Sequence, residues 1–130
     1  MDNKLIIKTR AHLKSFSDKQ RILNELLKQI DKDFGSLIEA PLKEKHLKTT
    51  EEIVQIITPV VEDLQNNSPE VLRQLMYKID LNESELYREL QKGDLDEHAL
   101  IASWMVTERE LKKVVTRIHF SDNKDAFKNL

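Results

Sequence analysis

Cysteine is absent from this chain, and the turn-forming residues are scarce: two Gly and three Pro in 130 residues. Without thiols there can be no disulfide framework and no thiolate metal site. So few turn formers argue for long helices with few tight turns. The only glycines, Gly35 and Gly93, lie far apart, which excludes a glycine-rich phosphate-cradling loop. No apolar run approaches the roughly 18 residues of a membrane-spanning helix. Near the N-terminus, Leu5-Ile6-Ile7 between Lys4 and Lys8 is too short for the apolar core of a signal peptide. A reducing cytoplasm is the expected location, with no membrane partner.

What is present is 39% hydrophobic and 34% charged, rich in the strong helix formers Leu, Glu, Lys and Gln. The length sets the expectation of a single helical domain over residues 1–130, large enough to bury a real core. The fold class read from these features is all-α: one compact bundle of four to five main helices, with a long helix at the C-terminal end.

That last helix spans Asp94 to His119 and contains the only Trp, Trp104. At about 100° per residue, Leu100, Trp104, Leu111, Val115 and Ile118 form one stripe, widened by Ile101, Met105 and Val114. A stripe this wide suits a helix with neighbours on more than one side, and Trp104 is expected to be a core anchor. Asp94 with Glu97 reads as a capping box. Upstream, Ser17 and Gln20 cap a helix running to Phe34, where Gly35 supplies a left-handed stop. Residues 36–48, with Pro41, form an apolar connector. Thr49 with Glu52 opens a third helix, which Pro59 should kink or split. Ser68 as N-cap and Pro69 at the first helical position restart a helix through Ile79. Asn82 with Glu85 caps a short one through Leu90, which Gly93 closes. Residues 1–16 are ambiguous: Leu5, Ile6, Leu13 and Phe16 share a helical face, yet Leu5-Ile6-Ile7 could be a strand. Residues 120–130 read as a loose tail.

Charge is unevenly spread. Residues 1–16 carry four basic side chains against Asp2, a net +3, and can act as a basic arm. Residues 51–98 carry twelve acidic side chains against four basic ones, a net −8. The two could complement one another within a chain or between chains. An acidic centre is a poor footprint for nucleic acid, which calls for a dominant basic face.

Few residues suggest chemistry. Leu72–Leu90 resembles a helix-turn-helix in outline, with its turn at Asp80-Leu81-Asn82. Its second helix carries Glu83, Glu85 and Glu89 against Arg88, and phosphates would repel those carboxylates. His12, His46, His98 and His119 are scattered; only Asp94 and His98 stand four apart, and Asp94 already has a capping role. No metal or other cofactor is expected. The hydroxyls of Ser103, Thr107 and Thr116 have no base at triad-like spacing, so no enzyme is expected. Glu108 stands out because it falls in the apolar stripe of the long helix. There it must be paired, with Arg73, Tyr77, Arg10 or a similar group as partner, or protonated, or lie at a helix edge reaching solvent, or line a pocket. Glu108, Tyr87 and Arg88 are the candidate interaction or buried polar residues. The leading expectation is a non-catalytic protein acting through a protein partner or a second copy of itself. The alternative is a small transcriptional regulator using Leu72–Leu90, and an enzyme with a pocket around Glu108 ranks third.

Overall fold

The computed structural model describes residues 16–122 of the chain, and those residues form an all-α fold without strands. In chain order the helices are α1 (Phe16–Phe34), α2 (Thr50–Asn67), α3 (Pro69–Ile79), α4 (Glu83–Leu90) and α5 (His98–Asp122). Short 3-10 turns at Gly35–Leu37, Leu42–Glu44 and Leu95–Glu97 join them. Helix α5 lies against α2 and α1 and also touches α3 and α4, so it is the central element. The basic arm, with His12 and Arg10, falls largely outside the described residues, as does the tail from residue 123 onward.

Local chemistry explains most helix boundaries. The Thr49 hydroxyl accepts from the Glu52 backbone N–H at 3.2 Å, while the Glu52 carboxylate accepts from the Lys48 N–H at 3.3 Å. Asn82 caps α4 by accepting from the Glu85 N–H at 3.0 Å. Gly35 adopts φ +55°, the left-handed geometry that favours glycine after a helix. Asp80 does the same at φ +65° without being glycine.

The boundaries differ from expectation at several places. Ser17 is not an N-cap, because α1 already includes it and is running at Phe16. Asp94 makes no side-chain cap; its carbonyl accepts from the Glu97 N–H at 2.9 Å in a 3-10 turn, and α5 starts only at His98. Ser68 holds the junction of α2 and α3 through its backbone alone, donating to the Leu64 carbonyl and accepting from Val71 and Leu72. Of the two outcomes expected at Pro59, a kink or a split, the split does not occur: α2 runs unbroken from Thr50 to Asn67. Beside Pro59 the Thr58 hydroxyl is satisfied within α2, donating to the Val54 carbonyl at 2.6 Å. The long helix also continues past His119 to Asp122.

The core gathers Leu26, Ile30 and Phe34 of α1, Ile53 and Ile57 of α2, Met76 and Ile79 of α3, and Val106 and Val114 of α5. A smaller cluster joins Val61 of α2 to Ala99 and Ala102 of α5, with Leu72, Leu86 and Leu90 packed on it. The buried face of α5 overlaps the expected stripe and is rotated from it. Met105, Leu111, Val114 and Val115 are buried as expected, but Leu100 is exposed and Trp104 only half-buried, and Ala99, Ala102, Ser103, Val106 and Glu110 are buried in addition. Small side chains let α5 approach α2 closely, which leaves the bulky indole on the flank. The buried hydroxyls of Ser103 and Thr107 are satisfied within α5, donating to Ala99 and Ser103 carbonyls at 2.7 and 2.9 Å.

Candidate functional site

The polar contacts between α1 and α5 follow from two stripes in the sequence. Glu25, Gln29 and Asp33 recur every fourth residue of α1, and Arg109, Lys113 and Arg117 do so on α5, so each set lies along one helix face. The helices run antiparallel, and the stripes meet in register. Lys113 Nζ lies 3.3 Å from Asp33 Oδ2, and Arg117 donates to Gln29 Oε1 at 2.8 Å while its other terminal nitrogen is 3.6 Å from Glu25. Gln29 donates in turn to Asp33 Oδ2 at 2.9 Å. Arg109 reaches away from α1, to Asp80 at the turn between α3 and α4.

Beneath this seam sits Glu110, 0% exposed, with both carboxyl oxygens shielded from solvent. Lys113 Nζ is 3.2 Å from its Oε1, so one ammonium serves two carboxyl groups. Drawn as a carboxylate, Glu110 accepts no hydrogen bond, because the Lys113 approach is a charge contact and not an aligned bond. A proton resolves this. Protonated Glu110 can donate to Asp33, which then needs only its existing donors. Burial first, and then the hydrogen bond and charge of Asp33, push the Glu110 carboxyl up to about 8, against the opposing pull of Lys113. Asp33 moves the other way. Burial raises it, but the hydrogen bonds from Glu110 and Gln29 and the Lys113 charge outweigh that and hold it below its ordinary value. The arrangement can store a proton. It offers no access to a substrate, since neither Glu110 oxygen meets solvent.

Among the described residues, the surface opens into concavities, two of which bear on function. One, of about 600 Å³, runs along the outer face of α5 past Arg109, Lys113, Arg117 and Phe120. Its cations already serve Asp80, Asp33, Glu110 and Glu25. The other, of about 330 Å³, is a groove between α3 and α4. Leu72, Met76, Leu86 and Leu90 form its apolar lining, and Arg73 and Glu83 stand on its rim. Tyr87, 67% exposed, lies along the same groove.

The sequence-derived candidates therefore separate. Tyr87 lines the groove, and Arg88 is exposed on the same helix, α4. Glu108 is half-buried on the flank of α5, with Oε2 shielded from solvent. Of the partners considered for it, Arg73 lies beside Glu70 at 3.5 Å and Tyr77 is 88% exposed. Asp94 is exposed and His98 half-buried at the start of α5. Sequence reasoning missed Glu110, Asp33, Gln29 and Lys113. A signal existed: at about 100° per residue, Glu110 falls about 20° from Ser103 and about 40° from Val106 and Val114. Weighting the small residues of α5 as core would have placed Glu110 at the centre of the buried face.

Searches with this chain against family models, curated proteins and solved structures found no match. No described helix is long and apolar enough to cross a membrane.

Proposed function

We propose that this chain is a non-catalytic, cytoplasmic interaction protein that receives a helix of a protein partner in the groove between α3 and α4. One observation carries the reading: Leu72, Met76, Leu86 and Leu90 line an open groove that Tyr87 flanks with most of its surface in solvent. A groove of about 330 Å³ takes two or three aliphatic side chains, the load of one face of an amphipathic helix. The groove belongs to the stretch 51–98, which carries a net −8, so the matching helix bears Lys or Arg beside its apolar face. Aromatic residues at such an edge are frequent binding hot spots.

A photo-crosslinking residue placed at Tyr87 in cells should give a discrete adduct, lost when Leu86→Glu puts a charge into the groove. The control position is the exposed Gln55 of α2. Equal labelling at Gln55, or an adduct indifferent to Leu86→Glu, overturns the reading. Sedimentation of the purified chain separates a foreign partner from a second copy.

The turn between α3 and α4 supports a second reading, a helix-turn-helix regulator. Left-handed Asp80 and buried Leu81 join the two helices in three residues. Glu83, Glu85 and Glu89 on α4 oppose that reading through repulsion of phosphate. Duplex DNA binding that weakens steeply with salt in a gel-shift titration would favour it over the protein partner.

A further inference from the structure

We infer that Asp33 and Glu110 hold one proton between them, and that this proton is a pH-operated latch fastening α1 to α5. The inference stands on the placement of the groups. Two carboxyl groups, 7% and 0% exposed, belong to different helices and share a single ammonium, Lys113, at 3.3 and 3.2 Å. Two adjacent buried carboxylates with one cation leave an uncompensated negative charge, whereas one carboxylate and one carboxylic acid do not. Among the described residues, the surroundings leave the proton as the remaining compensation. From α1, Gln29 donates to Asp33, and Glu25 lies further along the seam beside Arg117. From α5, Arg117 is engaged with Gln29 and Glu25, and Arg109 with Asp80. From α3, Lys78 reaches the main-chain carbonyl of Lys32 and its buried side chains are apolar, as are those of α2.

Opening of the α1–α5 seam admits water to Glu110, whose carboxyl then returns to its ordinary value of 4.5 from about 8 in the closed state. Between those values, opening releases one proton from Glu110 to water. The sign follows: the closed state binds the extra proton, so closure weakens as pH rises from 4.5 toward 8 and is insensitive above it. The opening constant should rise about tenfold per pH unit inside that window. Asp33 acts oppositely, but only below its ordinary value of 3.8, outside the window.

Native-state hydrogen exchange on the full chain tests this, with rates corrected for intrinsic exchange. Between pH 5.5 and 7.5, protection of the α1 amides from Leu26 to Phe34 should fall about a hundredfold and level off above pH 8. Amides of Ile53 and Ile57 in α2 should hold their protection, and Glu110→Gln, which keeps the donor and removes the titration, should flatten the α1 profile. A pH-independent α1 profile in the unaltered protein, an equal fall in α2, or an unchanged slope in Glu110→Gln overturns the latch. Should Glu110→Gln not fold, infrared spectra of the unaltered protein decide. A protonated-carboxyl band present at pH 7 and gone well above pH 8 supports the shared proton, and its absence at pH 7 refutes it.

Discussion

Arg109 holds Asp80 twice: Nε donates to the Asp80 carbonyl at 3.1 Å and Nη2 to its carboxylate at 3.1 Å. The contact ties the central helix α5 to the turn that sets α3 against α4, the two walls of the groove. It also accounts for a non-glycine residue at φ +65°, since an Asp there offers the guanidinium a carboxylate. Arg109→Ala should cost about 1 kcal/mol or less, because Asp80 is largely exposed and both bonds face solvent. Asp80→Gly should be nearly neutral, relief of left-handed strain offsetting the lost ion pair to within roughly 0.5 kcal/mol. Urea denaturation of both variants checks the pair, and a larger loss in Asp80→Gly would contradict it.

Lys113→Met should be more damaging. Removing one partner of a fully buried ion pair costs about 3–5 kcal/mol, and the 22% exposure of Lys113 brings the expectation to about 2 kcal/mol. The pH response should change at both ends. Asp33 sits below its ordinary value partly through Lys113, so it contributes stability above 3.8 that is lost as pH falls through its lower folded value. Without Lys113 the folded value moves back up toward 3.8, so that loss is smaller and is complete at a higher pH. Glu110 should then keep its proton beyond pH 8, so the decline in stability that starts near 4.5 extends further into alkali. Denaturation midpoints from pH 3 to 9 measure both shifts.

The helix caps divide into working and idle ones. Thr49→Ala and Asn82→Ala each remove a side-chain bond to a backbone N–H and should cost about 1 kcal/mol. Ser68→Ala and Asp94→Ala remove none and should change stability by less than about 0.5 kcal/mol. Thermal denaturation of the four variants would show the split, and equal losses would contradict it.

Packing of α5 gives a third contrast. Trp104→Ala should cost about 2 kcal/mol, below the roughly 3–5 typical of a buried aromatic, and the native indole should be partly open to acrylamide quenching. Ala102→Leu, at a position 5% exposed against Val61 of α2, should destabilise by about 1–3 kcal/mol through overpacking. A blue-shifted, quencher-proof emission would restore Trp104 to the core.

By itself the sequence determined the all-α class, the existence of the described helices and those boundaries where a side chain caps its own neighbour, at Thr49 and Asn82. These depend on interactions within four residues, which periodicity and capping patterns report directly. Tertiary structure alone decided which face of α5 is buried, because that depends on how closely α2 can approach. Ala99, Ala102 and Ser103 permit a close approach, and a reading led by large apolar side chains turned the helix toward Trp104 and Glu108. It also decided the partnership of Asp33 with Glu110, 77 residues apart in the chain and joined under Lys113 only once α1 and α5 dock antiparallel. A carboxyl group's proton affinity is set by whatever other elements bring beside it, and no local pattern carries that information.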